Sequence, residues 1–161
     1  NAKVLKREFI NEDPSLFGVK PFVVKFDISS EYFVEKKGDK YLFKLGDLIG
    51  PQMEMQQEKK RILPLEAEFN RSYYRTIKIH IPEGYQISNL EDIIIKNSYA
   101  TKDKELFIFD SYYTLEGDVL TVTADEHYRE TFVAPEIFEA YRTVINSAAD
   151  FNKITLILEP K

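Results

Sequence analysis

The sequence predicts a mostly-β fold: an antiparallel β-sandwich with one C-terminal amphipathic helix packed on a sheet. Three observations carry that expectation. Apolar residues recur with a period of two over most of the chain, as half-buried strands require. Short Gly-Asp turns punctuate the alternation where hairpins would close. Only one segment, from Pro135 to Phe151, changes to a helical period.

The clearest strand runs from Val119 to Val133. Leu120, Val122, Ala124, Tyr128 and Phe132 fall on one face, and Thr121, Thr123, Asp125, His127, Arg129 and Thr131 on the other. Glu126 and Glu130 interrupt the apolar face, which predicts a bulge or a sheet edge there. Tyr73–Ile81 repeats the pattern, with Ile77, Ile79 and Ile81 opposite Thr76, Lys78 and His80, and Pro82-Glu83-Gly84 then ends it. Proline lacks the ladder N–H and glycine admits positive φ, so a turn follows. Further strands are expected at Val4–Ile10, Phe22–Ile28, Tyr32–Lys36, Tyr41–Leu45, Ile62–Phe69, Ile93–Tyr99, Leu106–Tyr113 and Ile154–Leu158. Hairpins are predicted at Lys37-Gly38-Asp39 and Glu116-Gly117-Asp118.

In the helical segment Ile137, Phe138, Tyr141, Val144, Ile145 and Ala148 make the apolar stripe, and Pro135 suits the first helical position. Gly46–Arg61 carries turn residues followed by a polar stretch with two methionines, and is open to a short helix or an extended connection. A single domain over 1–161 is expected, with N-terminal strands over 1–60 sharing a core with a main sandwich over 61–161 as the alternative division.

The chain has 161 residues, of which 43% are apolar and 30% charged. That length supports a core without covalent staples. The net charge of −5 argues against a nucleic-acid partner. The one basic triplet, Lys59-Lys60-Arg61, reads as a solvated loop. No run approaches the ~18 consecutive apolar residues of a membrane span. Cysteine is absent, which removes disulfides, thiolate nucleophiles and Cys-ligated metals.

His80 and His127 are the only imidazoles, and both are expected on solvated outward faces. There is no Gly-x-Ser-x-Gly elbow, no Ser-x-x-Lys pair and no phosphate-binding glycine loop. Asp125 and His127 could converge on one face, but two ligands do not complete a metal site. No catalytic residue, cofactor or metal is therefore expected. Ten tyrosines and twelve phenylalanines invite a binding role, although alternate aromatics also fill sandwich cores. Tyr73, Tyr99, Tyr112 and Tyr141 are the candidates for an interaction surface, and a row of exposed tyrosines on one face would mark a glycan- or envelope-polymer-binding module.

Arg61-Ile62-Leu63-Pro64-Leu65, Ile79-His80-Ile81-Pro82-Glu83-Gly84-Tyr85, Tyr112-Tyr113-x-x-Glu116-Gly117-Asp118 and Asp150-Phe151-Asn152-Lys153 resemble a C-terminal β domain that follows transglutaminase-like cores in Bacteroidota envelope proteins. The similarity runs from about Pro21 to the C-terminus. The resemblance implies an exported, periplasmic or envelope-associated protein in which an adjacent catalytic-type domain, bearing a Cys-His-Asp triad, lies upstream in the same polypeptide. No residue of that triad transfers to this chain, and the implied role is a non-catalytic accessory one.

Overall fold

A computed structural model describes residues 2–161. The chain divides into two compact units, residues 1–35 and 36–161. The boundary falls after Glu35, and residues 36–60 belong with the second unit.

The first unit is an antiparallel ribbon of β1 (Lys3–Ile10) and β2 (Val23–Ser29), in register from Lys3↔Ser29 to Ile10↔Val23 with one irregularity between Val4 and Lys6. A 3-10 turn at Pro14–Leu16 lies between the strands, and Asp13 Oδ1 accepts from Ser15 N at 2.8 Å. Phe9, Phe22, Phe26 and Phe17 form a ring cluster with centroid separations of 6.3–6.5 Å. No described residue of this unit is buried.

In the second unit, β6 (Arg71–His80), β10 (Val119–Tyr128), β9 (Glu105–Glu116) and β8 (Ile95–Ala100) form a four-stranded antiparallel sheet in that order. A second four-stranded sheet has the order β3 (Val34–Lys37), β4 (Lys40–Phe43), β12 (Leu156–Pro160) and β7 (Tyr85–Ile87); β3 runs across the division between the units. Two short strands, β5 (Leu65–Glu66) and β11 (Phe132–Val133), pair with each other. The one α-helix among the described residues, α1 (Phe138–Asn152), packs on β8 and β9. The fold class is thus the mostly-β, antiparallel one expected, with its helix on a sheet.

One apolar cluster gathers side chains from both large sheets and the helix. Phe107, Phe109, Leu120 and Val122 come from the first sheet, Leu156 and Leu158 from the second, and Val144 and Phe151 from α1. Burying each such side chain contributes about 1.5–3 kcal/mol. Polar pins hold the helix: Asn97 Nδ2 on β8 donates to Ser147 Oγ at 2.8 Å, and Asn152 Nδ2 donates to the carbonyl of Gly46, in the 3-10 turn at Gly46–Ile49, at 2.7 Å. Gly46 has no alternative at this point, because a Cβ would run into the carbonyls of Phe151 and Asn152.

Several boundaries differ from expectation. The Val119–Val133 strand stops at Tyr128, and Phe132–Val133 pairs separately with Leu65–Glu66. Ile62–Phe69 is mostly irregular, its strand shrinking to Leu65–Glu66. No bulge occurs at Glu126, because β10 keeps unbroken register with both neighbours as the second strand of its sheet. The helix starts at Phe138, not at Pro135: Pro135 leads a turn closed by Ile137 N to Ala134 O at 3.1 Å, which delays the first helical residue. Tyr85–Ile87 forms a strand that the period did not reveal. Both predicted hairpins form, with Gly38 at φ 67° and Gly117 at φ 63°.

Candidate functional site

Register places one polar group inside the apolar face of the first sheet. Opposite Tyr128, Glu126 and Ala124 on β10 lie Arg71, Tyr73 and Arg75 on β6, while Phe107, Phe109 and Ser111 flank them on β9. These residues share the parity of Ile77, Ile79, Leu120 and Val122, so they face inward with the core. At this end the face opens into a cavity of about 760 Å³ between β6, α1 and the segment that follows the Gly46–Ile49 turn.

That segment resolves the open reading of Gly46–Arg61. A 3-10 turn at Gly46–Ile49 leads into an irregular strap, and Pro51, Met53 and Met55 wall the cavity. The strap is held to the helix by Asn146, whose Oδ1 accepts from Met55 N at 2.7 Å and whose Nδ2 donates to Met55 O at 3.1 Å. Beyond the strap Arg61 folds back. Its guanidinium lies 4.9 Å from the Phe138 ring centre, and its Nε donates to Leu63 O at 2.8 Å.

The cavity floor is a connected network. Glu126, 3% exposed, accepts from Arg75 Nη1 at 2.7 Å and from the Tyr128 hydroxyl at 2.9 Å. A buried carboxylate with two donors, one of them charged, is largely compensated. Burial, then the neighbouring Glu126 charge and its hydrogen bond, pushes the Tyr128 phenol well above its usual range, so it remains a donor. Arg71 Nη2 donates to the Tyr141 hydroxyl at 3.0 Å, and its guanidinium lies 5.2 Å from the Tyr128 ring centre. Arg71 Nε is buried without a hydrogen-bond partner. Arg75 lies 4.8 Å over the Tyr73 ring. The polar groups of the lining are the guanidinium groups of Arg71 and Arg75, the carboxylates of Glu66, Glu68 and Glu126, the hydroxyls of Tyr73, Tyr128 and Tyr141, and the amide of Gln52.

The four tyrosines singled out by sequence separate. Tyr73 lines the cavity and is 43% exposed. Tyr141 is only 2% exposed: its ring packs edge-on to Phe107 and Tyr128, which makes it core, with its hydroxyl bonded at the cavity floor. Tyr99 stacks on Phe107 at 6.1 Å on the inner face. Tyr112, 46% exposed, pairs with Thr123 and so points to the opposite face. These four therefore do not form a single row of exposed tyrosines on one face.

His80 is exposed as expected, but His127 is buried. Its Nε2 lies 3.1 Å from Glu105 Oε1 and its Nδ1 3.9 Å from Asp125 Oδ1. Alternation predicted the face of His127 correctly and could not show that β9 begins with an acid beside it. Among the described residues no group of three or more His, Asp or Glu is placed to hold a metal ion. The network at Arg71, Arg75 and Glu126 was missed, although one signal was readable. Arg71, Tyr73 and Arg75 keep step with Ile77 and Ile79, which puts two cations on an apolar face.

The family DUF3858, described as a domain of unknown function with solved-structure structure, matches residues 42–158. That span contains the cavity network and α1. A crystal structure of a "putative protease" from Parabacteroides distasonis has a similar fold, with a TM-score of 0.54 at 13% identity. The similarity covers 76% of this chain and 24% of that one, so the matched residues make up about a quarter of the longer protein. No curated protein matches the chain.

Proposed function

We propose that this chain, which belongs to the DUF3858 family, serves as a non-catalytic accessory domain of a larger exported protein of the transglutaminase or protease type. The observation that supports this most is the recurrence of its fold as 24% of a longer chain described as a "putative protease". In the cavity the buried Glu126 carboxylate is engaged by Arg75 and Tyr128. The role is then to pack against or position a neighbouring catalytic-type domain in the same polypeptide, in the periplasm or cell envelope. Among the described residues no helix is long and apolar enough to cross a membrane.

The intact mass of the native protein, immunopurified from its source cells, tests the reading. A mass several-fold above 18.9 kDa is expected, with the protein recovered from the envelope fraction. A mass near 18.9 kDa would leave no domain in cis and overturn it. The glycan-binding alternative would not use Tyr112 together with Tyr73 or Tyr99, because Tyr112 lies on the opposite face of the sheet.

A further inference from the structure

Arg71 and Arg75 occupy the same face of β6, and the fold treats them differently. Arg75 has Glu126 at 2.7 Å. Among the described residues Arg71 has no carboxylate partner, only the Tyr141 hydroxyl and the face of Tyr128, and its Nε is buried without a hydrogen bond. The one buried acid of the cavity is thus shared by Arg75 and Tyr128, and the Arg71 charge is left over. Glu66 and Glu68 also line the cavity, but both are exposed at its rim and neither pairs with Arg71. A guanidinium half withdrawn from water without an anion is held at a cost that a single carboxylate removes.

The walls define what else the ligand carries. Met53, Met55, Ile49, Ile145 and Phe69 are apolar, and Tyr73 adds a ring. Among the described residues that line the cavity the only cations are Arg71 and Arg75, and Arg75 is engaged by Glu126, which does not suit a multiply charged phosphate. The volume of about 760 Å³ lies within the roughly 300–1,000 Å³ of small-ligand sites.

We propose that this cavity binds a carboxylate borne on an apolar body, with the carboxylate at Arg71 and Tyr141 and the body against Met53, Met55 and Ile145. The Tyr141 hydroxyl accepts from Arg71 and so keeps its own proton for a ligand oxygen. Methionine side chains adapt to bodies of different shape. Two sources share this chemistry: the free C-terminus of a peptide ending in an apolar residue, and a free organic acid. The site stands apart from the accessory role, since the intact mass of the native protein bears on that role alone.

Calorimetric titration of the full chain with N-acetyl-leucine and N-acetyl-leucinamide tests the charge. The acid is expected to bind at least about tenfold more tightly than the amide. A pentapeptide ending in leucine, with free and amidated C-termini, separates the sources. A peptide acid about tenfold tighter than N-acetyl-leucine assigns the site to peptide ends, and equal affinities assign it to free acids. Arg71→Gln should weaken the acid by about tenfold or more, with Arg71→Lys recovering part of the loss. Tyr141→Phe keeps the ring and should weaken binding about threefold, which covers the case in which Arg71→Gln fails to fold. Equal affinity for acid and amide, or no binding of either peptide or acid up to about 10 mM, overturns the proposal.

Discussion

The ribbon of residues 1–35 and the unit of residues 36–161 use the same residue types to opposite ends. Both carry phenylalanines in ring contact: Phe9 with Phe22 and Phe26 in the ribbon, Phe109 with Phe151 in the second unit. In the ribbon every one of those rings is at least 44% exposed, whereas Phe109 and Phe151 are fully buried. Aromatic clustering is therefore not itself a core. Two strands have two faces and nothing of their own to cover either, and an isolated ribbon is marginal in water. The second unit closes its face with a helix and draws in a second sheet, and the same rings become structural.

The largest test removes one region. Residues 36–161 alone are expected to melt cooperatively within about 5 °C of the full chain, whereas a 1–35 peptide should show no cooperative transition by circular dichroism. Failure of 36–161 to fold would break the comparison. Next come single rings. Phe109→Ala should destabilise by about 3–5 kcal/mol in urea unfolding, and Phe26→Ala, at 55% exposure, by no more than about 0.5 kcal/mol. Third, Glu126→Gln should cost about 2–3 kcal/mol by the same measurement, because it leaves Arg75 without its charge partner.

The smallest effect should make the regions converge. Glu8–Lys25 at 3.5 Å in the ribbon and Lys40–Glu159 at 2.9 Å in the second unit are both solvated pairs across neighbouring strands, and neither should contribute much. The hydrogen bond and charge of Lys40 lower the Glu159 pKa. Whatever the pair adds is present above the ordinary carboxylate range and fades as pH falls through the folded value. Glu159→Gln should remove that slight acid dependence from the melting curve and leave the midpoint at pH 7 almost unmoved. A large shift would mean that charge, and not burial, separates the two regions.

Much of the fold was legible because alternation and turn chemistry are local. The Gly38 and Gly117 hairpins, the inward parity of Ile77 and Ile79, and the stripe on α1 all follow from a few neighbouring residues. What was not legible depends on distant partners. Glu126 looked like a flaw in its strand because Arg75, which compensates it, is 51 residues away and meets it only through register. His127 looked solvated because Glu105 comes from the far end of another strand. The strap had no period to read, since its place is set by side chains of the helix. The site is made almost wholly of such pairings, which is why its residues stood in plain view and its function did not.

The strap's attachment to Asn146 has a consequence for hydrogen exchange. The side-chain amide engages both backbone groups of Met55, much as one residue of an adjoining strand would. Among the described residues 51–60, Met55 is the only one whose backbone N–H donates within the protein. Its amide proton should therefore persist in deuterated solvent while its neighbours are lost. That single slow signal would report, from inside the wall of the cavity, whether the strap is closed on the helix at any moment.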